Sequence, residues 1–265
     1  MIKKLTICLA MSAIWMLATA AQPPKNDDQQ LYNMSFDNWS KDKKGFDVCY
    51  GPDATETQKK VWGSSNATTA TYGAPTVMPE ENFVAVSGPG KKALCLKSQL
   101  IKVLFIKKLA AGSIFNGYTG RLDLSKMTAH LHWGIPFSER PTSLKGYACY
   151  QPGIVDFTDK EHENLKGKAD TGTIAVYLAD WDTPFEVCPP DLSLDEENDP
   201  GIIGLGEIIF KKKTGSYEPF TMDIQYRSQR TPKYVVIVAS ASALGDYFTG
   251  STGSVLYLDE LEFIY

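Results

Sequence analysis

The sequence predicts an all-β protein, a two-sheet antiparallel β-sandwich of the jelly-roll kind, and three observations predict it. Short apolar runs follow one another between Gly, Pro, Asn, Asp and Ser turns along most of the chain. Residues 220–226 alternate cleanly, with Phe220, Met222, Ile224 and Tyr226 on one face and Thr221, Asp223 and Gln225 on the other. No segment sustains an apolar period of 3.6 residues.

Taken in order, the strand candidates are 83–86, 93–97, 101–109, 146–151, 173–179, 203–211, 220–226, 234–240 and 253–265. Residues 234–239 (Tyr-Val-Val-Ile-Val-Ala) are apolar on both faces, as suits a central strand covered by a further layer. The charged stretch 156–168 reads as a long loop or a short surface helix. No internal repeat and no low-complexity linker divides the chain after residue 30. One domain over residues 31–265 is therefore expected.

The first twenty residues read as a signal peptide. Lys3 and Lys4 form a positive start, residues 5–17 an apolar run, and Ala18-Thr19-Ala20 a small-residue cleavage site. The apolar run is short for a bilayer span, and no later stretch qualifies. Residues 21–30 are polar, carry prolines and read as a flexible leader. The expected location is secreted or periplasmic, with association to the cell surface and its proteins in view. Loss of Lys3 and Lys4 moves the formal charge from −4 to −6, which lacks the basic footprint of a nucleic-acid binder.

With Cys8 removed, Cys49, Cys95, Cys149 and Cys188 remain. An oxidising compartment allows two disulfides in three connectivities, or four small buried hydrophobes. The spacings are wide and contain no CxxC, against a zinc site.

Motifs for covalent or phosphoryl chemistry are missing: there is no GxSxG elbow, HExxH or P-loop, and only three histidines occur. No catalytic residue is assigned from motifs. His130 and His132 are two apart and share a strand face, which suits a metal pair or two solvent-facing rings. His162 lies in the charged loop. The acidic stretch 191–199 lacks the alternating ligand spacing of an EF-hand and reads as a solvated loop.

Several segments in ordered succession carry a resemblance: Phe36-Asp-Asn-Trp39, Leu109-Ala-Ala-Gly-Ser-Ile-Phe115, Gly134-Ile-Pro-Phe-Ser-Glu-Arg-Pro141, Gly146-Tyr147 with Tyr150-Gln-Pro-Gly153, and the long ending over residues 232–259. Together they resemble the putative carbohydrate metabolism domain (PCMD) family, secreted bacterial jelly rolls similar to carbohydrate-binding modules. The resemblance implies a jelly roll and a saccharide partner. It also implies a structural calcium ion, with Asp259 of the last strand joined by Asp37 of the opening strand. Alternation alone places Asp259 with Val255, Tyr257, Leu261 and Phe263, opposite Leu256, Leu258, Glu260 and Glu262. A carboxylate so placed needs a cation, backbone amides or a neighbouring Arg, Lys or Tyr, and its role is structural in each case.

Tryptophans flanked by polar groups suit the C–H face of a sugar ring, and equally suit a sandwich core. Trp62, Trp133 and Trp181 are the candidate platforms, with Asn66, Arg140 and Asp170 as candidate polar contacts; Trp39 has similar surroundings. The leading expectation is a non-catalytic glycan-binding protein. The alternatives are a glycan-active hydrolase or lyase, pairing Asp170 with Asp180, Asp182 or Asp246, or a structural or adhesive subunit of a surface assembly.

Overall fold

The computed structural model describes residues 29–103, 105–123 and 128–265. The expected signal peptide, residues 1–20, and most of the expected leader lie outside the described residues. The leader's last two residues are tied to the fold. Gln30 exchanges two hydrogen bonds with the Phe263 backbone (3.0 and 2.8 Å), and the Gln29 carbonyl accepts from the Tyr265 hydroxyl.

The fold is an antiparallel β-sandwich. The front sheet runs in the order Gln225–Tyr226, Ile202–Phe210, Gly172–Ala179, Tyr234–Ser240, Ser113–Phe115, Gly63–Ser64, with Ile135–Pro136 paired to the start of Tyr234–Ser240. The back sheet runs Glu218–Asp223, Ser143–Gln151, Val255–Ile264, Ala93–Lys97, Val77–Glu80. Between them lies the main core. Ile174, Val176 and Leu178 meet Val235, Ile237 and Ala239 on the front, and Leu94, Leu96, Leu144, Leu256 and Leu258 on the back. Truncating one such buried leucine to alanine costs about 2–5 kcal/mol.

Period-two patterning accounts for most strands. Residues 93–97 and 234–240 fold as strands over the expected spans. The two apolar faces of the latter separate as expected: Val235, Ile237 and Ala239 face the main core, Val236 and Val238 a second apolar cluster on the outer side of the front sheet. Residues 220–226 keep one face inward but do not form one strand. Glu218–Asp223 pairs with Ser143–Gln151 in the back sheet, and Gln225–Tyr226 pairs with Leu205 and Gly204 in the front sheet. The crossing is at Ile224, whose N–H donates to the Thr142 carbonyl (2.9 Å). Such corners are how a sandwich joins its two layers.

Two expected strands are corrected. Residues 101–109 are not one strand but parts of a hairpin, Gln99–Val103 against Ile106–Ala110, which turns without the Gly, Asn, Asp or Pro that marks most turns. Residues 83–86 form a loop across the outer face of the back sheet, where Phe83 packs on Tyr217 and Tyr257 (centroids 4.8 and 5.2 Å apart).

The last strand also departs from strict alternation. A bulge falls where Tyr147 pairs with Asp259 and Lys145 with Glu262, and Glu260 takes a positive φ of 48°. The inserted residue shifts the pattern by one. Leu256, Leu258, Leu261 and Phe263 all face the main core, whereas Tyr257 and Asp259 lie outward under the 83–86 loop. Asp259 therefore does not share a face with Leu261 and Phe263.

A smaller three-stranded sheet, Phe185–Val187, Thr128–Trp133, Gly117–Asp123, branches off the front sheet and covers part of its outer face. The branch is built from glycines. Gly117 and Gly134 have φ of +135° and +113°, and a Cβ on Gly117 would collide with the His132 carbonyl. Asn116 anchors the branch point: its amide donates to the Val61 carbonyl (2.9 Å) and accepts from the Ile237 N–H (2.7 Å).

Candidate functional site

The outer face of the front sheet and the inner face of the small sheet enclose a cleft of about 440 Å³. Its floor is set by sheet register. Thr173 stands beside Ile209 and Ser240, Ala175 beside Glu207 and Val238, and Tyr177 beside Leu205 and Val236. One wall is Thr119, Leu131 and Trp133 of the small sheet. Asp246, Tyr247 and Phe248, which follow the sheet-ending Ser240, also line it, with the Lys108 ammonium 3.7 Å above the Phe248 ring. The acidic stretch contributes Glu196.

Four carboxyl groups line this cleft, Asp123, Glu196, Glu207 and Asp246. The Tyr177 hydroxyl donates to Glu196 Oε2 (2.9 Å), and the Thr173 hydroxyl to Glu207 Oε1 (3.1 Å). The Tyr177 hydroxyl is held well above the ordinary phenol range, first by burial and then by the surrounding Glu196, Glu207 and Asp246. Burial pushes the Asp246 carboxyl up to about 6. An apolar, aromatic-edged floor with carboxylates at its rim can stack a sugar ring, accept from its hydroxyls and, with a carboxyl protonated near neutrality, hand it a proton.

The residues expected from sequence are distributed unevenly. Trp133 lines the cleft; it is buried, and its indole N–H has no partner among the described residues. Trp62 lies instead in the main core, donating to the Tyr32 carbonyl (2.9 Å) and packing on Phe36. Asn66 is buried and fully engaged: it donates to the Val77 and Asp47 carbonyls and accepts from the Thr76 and Val77 N–H groups. Asp170 is buried too, accepting from Ser242 and Ser254 hydroxyls and from the Ser251 and Thr171 amides. Trp62, Asn66 and Asp170 thus serve the framework, not a ligand surface, because burial closes them from outside and their polar atoms are already used. Arg140 stacks on Tyr226 (4.1 Å) and donates to the carbonyls of Arg230 and Ser228. Trp181 lines a separate groove together with Tyr118, His132 and Arg230. Trp39 donates to the Phe36 carbonyl.

Asp37 and Asp259 have separate partners. Asp37 accepts from the Lys91 ammonium and the Lys92 N–H, each at 2.9 Å, and Lys91 also reaches Glu260 (2.5 Å). Asp259 accepts from the N–H groups of Ala85 (2.7 Å) and Glu260 (2.9 Å), and burial pushes its carboxyl up to about 6. An ammonium thus bridges Asp37 and Glu260, and no group of three His, Cys, Asp or Glu converges as a metal site among the described residues. His130 and His132 do lie on one face. His130 contacts Glu186 (2.5 Å) and Arg121 (2.9 Å), while His132 stacks on Tyr118. The four described cysteines are free and buried. Cys95 and Cys149 flank Tyr257 from opposite sides, about two strand spacings (roughly 9–10 Å) apart and beyond bridging range.

The sequence did not single out Tyr177, Glu196 or Glu207, and it paired Asp246 with Asp170, whose oxygens here accept from Ser242, Ser254, Ser251 and Thr171. Asp180 and Asp182 are engaged by Arg230 and Lys233. One signal was present: Glu207 is the sole charge in the strand Ile202–Phe210.

The model of the Putative carbohydrate metabolism domain (PCMD) matches residues 35–264. The chain belongs to the PCMD family. Among solved structures, this PCMD chain is similar to a putative glycoside hydrolase from Bacteroides thetaiotaomicron VPI-5482, with 25% identity, 77% of this chain and 62% of that one covered, and a TM-score of 0.57. It therefore spans less than two thirds of that protein. A putative glycoside hydrolase from Bacteroides vulgatus ATCC 8482 aligns over 85% of this chain and 89% of its own at 19% identity (TM-score 0.60), a likeness of fold. No curated protein matches significantly. The PCMD chain is a carbohydrate-related β-sandwich, and no helix among its described residues is long and apolar enough to cross a membrane.

Proposed function

We propose that this PCMD domain binds an oligo- or polysaccharide in the cleft on the outer face of the front sheet. The convergence of Glu196, Glu207 and Asp246 around Tyr177, over a floor edged by Trp133 and Phe248, carries the reading. Binding to a glycan array, followed by titration of the hits against Glu207→Gln, tests it. The exposed Glu207→Gln should keep the wild-type Tm and lose at least tenfold in affinity. Failure of every glycan to bind the wild type, or unchanged affinity in the variant, would overturn it.

A second reading, glycoside hydrolysis, is favoured by Asp246, whose carboxyl is raised to about 6 inside a cleft holding three further carboxylates. Asp246 would protonate the glycosidic oxygen as the bond to the anomeric carbon breaks. Glu196 or Glu207 would take the proton of the water that adds there, or attack that carbon directly. Reducing-end release from the bound glycans, abolished in Asp246→Asn with binding kept, is the expected result. Intact glycans after prolonged incubation with wild type would leave a binding protein.

We propose export as well, on the strength of the positive start, apolar run and small-residue site of residues 1–20. Amino-terminal sequencing of the protein from the periplasm or medium should begin at residue 21. An intact Met1 would sink it.

A further inference from the structure

The small three-stranded sheet has two faces, and the cleft uses one of them. Its outer face, with the 180–186 and 199–201 segments and Arg230, borders a groove of about 890 Å³. Register brings Tyr118, His132 and Glu186 side by side across the sheet. Tyr118 stacks on His132, with centroids 4.7 Å apart and planes 22° from parallel, and stays 44% exposed. A second aromatic pair, Trp181 and Phe185 (centroids 5.3 Å apart), lines the same groove. The Trp181 indole is fixed: its N–H donates to Asp199 Oδ2 (3.0 Å), and it lies so close over Gly201 that a methyl group there would collide with it.

Four carboxylates line the groove, and three of them have a basic partner. Asp180 meets Arg230 (2.5 Å), Asp182 meets Lys233 (2.8 Å) and Glu186 meets His130 (2.5 Å). Asp199 accepts from Trp181 and from the Gly201 N–H (2.7 Å). With a carboxylate in excess, such a lining offers a phosphate or a sulfate no net attraction. It offers flat rings and many hydrogen-bonding groups, which fit an uncharged polyhydroxylated ring.

We infer that this groove is a second saccharide site, specific for neutral sugars, with Tyr118 and Trp181 as its stacking platforms. It takes its ligand class from the reading of the cleft but stands on different residues, so the two can fail separately.

The test is isothermal titration of the full chain with cellohexaose, xylohexaose, mannohexaose and chitohexaose. It compares wild type, Tyr118→Ala, Tyr118→Phe and the cleft variant Glu207→Lys. The expected result is binding to Glu207→Lys that Tyr118→Ala weakens at least tenfold with Tm unchanged, and that Tyr118→Phe restores. Hexasaccharide binding abolished by Glu207→Lys and untouched by Tyr118→Ala would overturn the groove and leave the cleft. Binding lost in Tyr118→Ala but insensitive to Glu207→Lys would support the groove and count against the cleft. No binding of any hexasaccharide to wild type would overturn the groove as a neutral-sugar site.

Discussion

The Tyr177 hydroxyl donates a 2.9 Å hydrogen bond to Glu196, joining the centre of the front sheet to the acidic stretch that overhangs it. Tyr177 is buried among carboxylates, so this bond decides where Glu196 points. Tyr177→Phe removes one bond to a charged acceptor, worth about 1.5–3 kcal/mol. Urea denaturation should report a loss near that size, and glycan affinity should fall with it. Wild-type stability together with wild-type affinity would show that Glu196 is positioned by something else.

The two buried tryptophans should answer differently to the same change. Trp62→Phe leaves the Tyr32 carbonyl without its donor, at about 1–3 kcal/mol, whereas the Trp133 indole N–H has no bond to lose. Trp133→Phe should therefore disturb glycan affinity more than Tm, and Trp62→Phe the reverse. Thermal melts beside glycan titrations decide it; a larger drop in Tm for Trp133→Phe would contradict the assignment.

Asp246 and Asp259 should each make the folded state less stable as pH rises from about 4 to 6. Asp246 and Asp259 both ionise at about 6 when folded, against about 3.9 for an unfolded aspartate. The folded state thus binds more protons in this window, so stability is greatest below the unfolded value and falls as pH rises through the folded one. For Asp259 the penalty above pH 6 is on the order of 2 kcal/mol. Urea midpoints at pH 4.5 and 7.5 should show the decline, and Asp259→Asn should flatten it. A pH profile that Asp259→Asn leaves unchanged would refute the assignment.

Lys91 holds the opening segment to the bulged last strand through Asp37 and Glu260. Lys91→Met leaves two carboxylates facing one another and should lower stability by roughly 1 kcal/mol. Because an ammonium already stands between them, chelator should leave the wild-type melting curve where it is. A chelator-induced drop in Tm that Asp259→Asn abolishes would instead establish the calcium site implied by the family resemblance.

The layers of the fold were legible wherever a strand is regular and buried on at least one face, as at 93–97, 173–179 and 234–240. Legibility failed where geometry comes from something other than periodicity. The bulge at Glu260 and the glycine-free turn near Phe105 carry no composition signal, and the 83–86 loop looks like a strand because its apolar residues roof Asp259. The site was less readable still. A polar-flanked tryptophan looks alike in a core and at a rim, so Trp62 and Trp133 could not be told apart. The carboxylates around Tyr177 come from a strand, an acidic loop and a sheet-end turn, and only the branch at Gly117 and Gly134 encloses them in one space.

The crossing at Ile224 also fixes the length of the chain there. On either side of it, inward residues are locked to different sheets, Phe220 and Met222 to the back and Tyr226 to the front. One residue added or removed between Asp223 and Gln225 would turn one side's inward residues outward and bury a polar neighbour in their place. Descendants of this sequence can lengthen the hairpin tip at the fully exposed Phe105, where no register depends on the count. At Ile224, insertions and deletions are admitted in pairs or not at all.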